Sequence, residues 1–233
     1  MRNFQHILVT LFLLFFFNAR LLAQSKVEVK ETTTTPAAPA SPVETETHSE
    51  DKVDKGGLFV EPFLTYERGE VVVDYPAPFS SSNEDVEGFG IGARFGFHVH
   101  EIIFLALDAR YSMPSYDSSM LGGDSNSKSY NLGATIGVQT PVAGLRVWGT
   151  YIAAGELDPE SISNVDIKFS NLQGYRIGAG IYVSKISLNL EYQNAEYDKS
   201  TVQSIGPITG GDLGNIDAEL ETWIVSVSFP IAL

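Results

Sequence analysis

Eight segments of this 233-residue chain alternate apolar and polar residues with a period of two, and each carries an aromatic residue at the same end of its apolar row. The last is the plainest. Trp223, Val225, Val227, Phe229, Ile231 and Leu233 form a wholly apolar row, while Thr222, Ser226 and Ser228 lie in the other. Side chains of a strand alternate faces, so this reads as a strand with one oily face and one mostly polar face. The same pattern recurs seven times from Leu58 onward, in runs of roughly ten residues, the length at which a tilted strand crosses a bilayer. No helical period competes with it.

The connections between the runs alternate in length. Short turns fall around His98 to Glu101, around Pro141, and at Ser184 and Lys185. The other four, roughly 69–87, 113–129, 154–171 and 195–220, are long and rich in Ser, Gly, Asp and Asn, and read as long loops. Strict alternation of short and long ends describes an up-and-down meander with one tight rim and one elaborate rim. The aromatic residues Tyr66, Phe89, Tyr111, Tyr130, Tyr151, Tyr175, Tyr192 and Trp223 stand one per strand, each next to a long connection. Amphipathic rings at a common height mark a lipid interface, so the apolar rows are expected to face lipid.

With these features residues 58–233 resemble the small outer-membrane β-barrels of the OmpA, OmpX and OmpW type. The resemblance implies an all-β fold, an eight-stranded antiparallel up-and-down transmembrane barrel in the outer membrane of a Gram-negative cell. It implies long loops at the cell surface, both termini in the periplasm, outer-membrane lipids including lipopolysaccharide as surroundings, and the export apparatus and barrel assembly machinery as partners in biogenesis. Members of that group usually end on an aromatic residue, whereas this chain ends on Leu233 with Phe229 further in.

Residues 1–23 read as a signal peptide, with Arg2 as a basic start, an apolar core from Ile7 to Phe17 and Ala23 at the cleavage point. That core is shorter than the roughly 20 residues a spanning helix needs. Residues 24–57 are rich in Thr, Pro, Ala and Glu with scarcely any large apolar side chain, and read as a disordered periplasmic tether. The chain has no cysteine, which excludes disulfides, thiolate metal sites and N-terminal lipidation. Its formal charge of -14 becomes still more negative once Arg2 and Arg20 leave with the signal, and argues against nucleic acid as a partner.

The inward rows of the strands carry Glu61, Arg94, Asp108, Arg110, Arg146, Arg176 and Glu191. The interior of an eight-stranded barrel is just wide enough for side chains to fill, so these charges read as a plug of ion pairs. Gly92, Gly133 and Gly178 are expected to make room there for Phe63 and Trp148. Glu61 is expected to pair with Arg94, Arg146 or both. The acidic long connections, whose lysines are Lys128, Lys168 and Lys199, could collect divalent cations or a basic ligand, or simply stay solvated. The segment DSNSKS from Asp124 lacks the glycine and closing glutamate of a calcium loop, so no metal site and no cofactor is expected.

The functional expectation is a monomeric outer-membrane module with a structural or surface-interaction role. The alternative is a porin-like narrow conduit or binding site for small hydrophobic or ionic solutes. A remoter alternative is a lipid-modifying enzyme, which would need a base beside a nucleophile near the lipid surface. His98 and His100 instead flank a tight turn, and no catalytic residue is assigned. Mature protein is expected to begin near Gln24 and to fractionate with the outer membrane; intact-mass measurement showing residues 1–23 retained contradicts this.

Overall fold

The computed structural model describes residues 57–74, 81–118, 122–140, 144–211 and 217–233. The expected signal at 1–23, and all of the tether at 24–57 except Gly57, lie outside the described residues. The described chain forms β1 (Leu58–Asp74), β2 (Ser82–His98), β3 (Ile103–Ser118), β4 (Gly123–Gln139), β5 (Leu145–Pro159), β6 (Val165–Val183), β7 (Ile186–Ile205), β8 (Ile208–Thr209), β9 (Asp217–Ser228) and β10 (Ile231–Ala232). There is no helix among the described residues.

Strands β1 to β7 pair antiparallel in chain order, and β9 pairs with both β7 and β1, which closes the ring. The pair β10 continues β9 in the same register, with Phe63 opposite Ser228 and Val60 opposite Ile231. The interruption falls at Pro230, which has no N–H to give to the ladder. On either side of it the Phe229 N–H donates to the Pro62 carbonyl at 3.0 Å and the Leu233 N–H to the Leu58 carbonyl at 2.9 Å. The barrel therefore has eight staves, β1 to β7 and the β9–β10 strand.

The four long connections are not the loops that composition suggests. The longest stave, β7, has 20 residues, and β1 runs eight residues past Tyr66 to Asp74. At about 3.3 Å per residue those eight extend the wall by about 26 Å along the strand. The reason lies in which face is apolar. Along β1 the membrane-level apolar row is Leu58, Val60, Leu64 and Tyr66, facing out, but above Tyr66 the apolar residues Val71 and Val73 fall in the opposite row and are buried. The same inversion buries Val86, Tyr116, Phe169, Leu172, Tyr197 and Leu220 in one cluster. The lower, membrane-level wall thus carries its apolar rows outside and the charged residues inside, whereas the upper wall turns most of its large apolar residues inward.

Irregularities keep the upper apolar side chains turned inward. In β5 the ladder to β4 slips between Leu132 and Gly133, so Ile152 and then Leu157 are both buried despite their unequal parity. In β6 Asn171 adopts φ 62°, and its amide donates to Asp198 at 2.8 Å on the outer face. The bulge shifts the phase of β5 by one residue, and on either side of Asn171 the buried residues Phe169 and Leu172 likewise differ in parity. The upper cluster should be a source of stability in its own right: Phe169→Ala and Leu172→Ala are each expected to lower it by about 2–5 kcal/mol, as measured by denaturant unfolding of the refolded barrel.

Candidate functional site

The interior is filled in three tiers. The lowest, at the tight-turn end, is apolar: Phe59, Phe104, Ala106 and Trp148 are buried together, and the His98 ring lies 5.0 Å from Phe59. The middle tier is ionic. The highest is the apolar cluster of the extended walls.

The seven charged residues read from the inward rows all lie in the middle tier and are buried, Arg176 and Glu61 completely. Arg146 makes a two-pronged contact, its Nη1 and Nη2 donating to Oε1 and Oε2 of Glu61 at 2.7 Å each. The Ser228 hydroxyl adds a third bond to Glu61 at 2.6 Å. Arg94 stands opposite Glu61 in register, yet its Nη1 remains 3.8 Å from that carboxylate. It reaches instead to Asp108, from Nε at 2.8 Å, and to Glu191, from Nη2 at 2.6 Å. Arg110 donates to Asp108 at 2.8 Å and pairs with Glu191 at 2.7 Å. Arg176 donates to Asp108 at 3.1 Å, and to Asn131 and Gln193. Charge-assisted bonds of this kind offset the desolvation of guanidinium and carboxylate only when nearly every donor and acceptor finds a partner.

Aromatic rings complete the packing of the arginines. The Arg94 guanidinium lies 4.6 Å from the Trp148 ring centre and 5.3 Å from that of Phe63, and the Arg110 guanidinium lies 4.8 Å from the Phe63 centre. The Trp148 indole N–H donates to Glu191 at 2.8 Å. A Cβ on Gly92 would come within 2.3 Å of the Phe63 ring, and one on Gly178 within 2.4 Å of Trp148. Gly133 does not serve this purpose; it faces Thr150 and the Tyr151 carbonyl, and it is Gly137 that accommodates Phe104.

Sequence reasoning missed Glu67, which accepts a bond from the Ser112 hydroxyl at 2.6 Å, and the buried polar residues Thr65, Ser129 and Gln193. The signal was present: Glu67 continues the inward parity of Glu61 and Phe63 one step beyond Tyr66. With it the middle tier holds four carboxylates against four guanidiniums.

Outside, the apolar rows are exposed. Phe89 is 72% exposed, Leu107 67% and Ile136 59%, in a wall whose four lumen arginines are at most 8% exposed. The eight interface aromatics stand as four cross-strand pairs in direct register, Tyr66 with Phe89, Tyr111 with Tyr130, Tyr151 with Tyr175 and Tyr192 with Trp223, one pair on each long hairpin. A continuous belt of this kind is stable against hydrocarbon and not against water, so the lower wall spans a membrane.

Above the aromatics the exterior is acidic on one side. Glu221, Glu70, Asp85, Asp117 and Asp124 are successive register partners across β9, β1, β2, β3 and β4. Glu196 faces Glu219, and Asp217 faces Asp74. Burial, and then the neighbouring carboxylates Asp217, Asp198 and Glu219, push the Glu196 carboxyl above its ordinary range. Asp124, once the head of a possible loop motif, is here a strand residue in this row. Lys168, on β6, pairs with Glu156 at 2.5 Å.

No family model matches the chain, and no curated protein sequence matches it. Its fold is similar to solved outer-membrane structures. The outer membrane protein OprG from Pseudomonas aeruginosa is 9% identical over 77% of this chain and 98% of its own, with a TM-score of 0.46. Ail, the attachment invasion locus protein of Yersinia pestis, is 15% identical over 75% and 99%, with a TM-score of 0.43. Neisserial surface protein A is 14% identical over 73% and 96%, with a TM-score of 0.41. The assignment of belt and lumen rests on the burial and pairing described above.

Two substitutions separate the faces. Leu107→Arg, which puts a charge into the belt, should cost about 2–4 kcal/mol near the midplane, whereas Leu107→Ile should be nearly silent in the same denaturant titration of the lipid-embedded barrel. Arg94→Ala, which removes one partner from a buried ion cluster, should cost about 3–5 kcal/mol.

Proposed function

We propose that the protein is a monomeric integral component of a bacterial outer membrane and acts as a structural or surface-interaction module, without catalysis. The elaborate rim lies outside the cell and both termini lie in the periplasm, with residues 1–23 removed on export and 24–57 serving as a tether. The observation that carries this reading is the lumen filled in three tiers, which leaves the outer surface as the place where the chain can act. The acidic rows of the extended wall then form the contact face. Carboxylates directly opposite one another in register oppose folding, and a cationic partner or divalent cations would relieve that repulsion.

The lumen contents also support the plug over the conduit. A steady path for ions would have to pass both apolar tiers, and the guanidiniums between them are already engaged with carboxylates. Purified protein in a planar bilayer should therefore show no steady conductance; strong conductance of the unaltered chain would replace this reading with the conduit. For orientation, an epitope inserted after Ser81 should be labelled on intact cells and one after Ser184 should not, and the reverse pattern would invert the topology.

A further inference from the structure

The outer wall is not evenly corrugated. Ile136, Gly149, Ile177, Tyr192 and Trp223 are successive register partners across β4, β5, β6, β7 and β9, all on the outward face. Gly149 therefore leaves one position of that row empty between two isoleucines, and Ala179 leaves little more in the row below. A Cβ on Gly149 would meet nothing within 4 Å. The result is a groove of about 590 Å³ in the belt, with an almost wholly apolar lining. That volume falls in the range of small-molecule sites, about 300–1,000 Å³.

We infer that this groove is a binding site for one acyl chain of a membrane lipid, held longer than the lipids around it. The inference rests on the membrane-spanning reading of the lower wall. The groove is continuous with the belt, so what fills it comes from the membrane. In hydrocarbon there is no hydrophobic drive to associate, and selectivity comes from packing contacts. A chain lying over Gly149 touches Ile136, Ile177 and the small-residue bed at once, whereas one on a convex part of the wall touches it from a single side, and each lost contact forfeits dispersion attraction. A second copy of this chain is a poorer occupant. A two-fold interface sets the same patch against itself, and two concave faces would enclose a void. At the upper end Tyr192 and Trp223 lie at the level of the headgroup, where amphipathic rings are favoured.

The test uses the full mature chain refolded into phosphatidylcholine vesicles, with two readouts. Native mass spectrometry after mild detergent extraction counts retained lipid, and quenching of Trp223 fluorescence by phosphatidylcholine brominated on its acyl chains reports contact with hydrocarbon. The unaltered chain and Ile91→Phe, which alters the exposed outward row of β2, the strand across the ring from β6, should each retain one lipid. Gly149→Phe and Ala179→Phe, tested separately, should each reduce retention several-fold, and Gly149→Ala less, with Trp223 still quenched in all. Equal retention in all variants, or none in the unaltered chain, with Trp223 quenched, overturns the groove and leaves the belt standing. Absence of quenching in the unaltered chain overturns the membrane reading and the groove with it.

Discussion

Twelve registered pairs between β1 and β9, from Phe63 opposite Ser228 to Asp74 opposite Asp217, turn a sheet into a tube, and everything else in the molecule follows from that closure. In hydrocarbon an unpaired backbone N–H or C=O has no water to turn to, and each costs several kcal/mol. A sheet of this sequence left open would expose two such edges. Closed, it has none, but it also has a fixed and narrow inside. The inward side chains then have to fill that space and satisfy one another, which is why a Glu61 carboxylate receives two arginine donors and a serine hydroxyl.

Much of the barrel was legible because the membrane imposes a simple code on its wall: apolar at every second position, with a ring at the interface. Leu107, Ile136 and Val227 obey it without exception. The same code misled above the aromatics. There Val71 and Val73, in a short run of three valines, and Val86 stand in segments otherwise rich in Ser, Gly, Asp and Asn, and their phase is opposite to that of the strand below, so composition pointed to loops. Glu67 was overlooked for a related reason, since it lies on the inward row just past Tyr66, where the pattern was taken to stop. Partner choice within the lumen was legible only in part: Arg146 was among the expected partners of Glu61, but which of the two arginines would take the carboxylate was not. Register places Arg94 beside Glu61, but side chains of six or seven atoms cross a narrow interior, and the Arg146 guanidinium arrives from the far wall to take the carboxylate.

The outer surface of the upper wall carries a row of registered carboxylates. On β9, β1, β2, β3 and β4 carboxylates face carboxylates across neighbouring strands, and Arg68, which pairs with Glu87 at 3.3 Å, contributes a cation at their margin. Repulsion along such a row is set against the burial of Val71, Val86, Tyr116 and Leu220 on the other face of the same strands. Exposed charges are screened within a Debye length, about 8 Å at physiological salt. The balance between the two faces is therefore sensitive to the ionic surroundings in a way the lipid-embedded half is not.

The glycines of the inner wall bear on how such a chain can change over generations. Gly92 is held small by the Phe63 ring and Gly178 by Trp148, while each ring is in turn the seat of an arginine. Neither partner can enlarge alone, because the wall cannot give way without breaking its ladder. Homologues should therefore show these positions drifting in concert, a bulkier residue at the glycine accompanied by a smaller one at the ring, so that the coupled pairs form a record of interior volume conserved while identity is not.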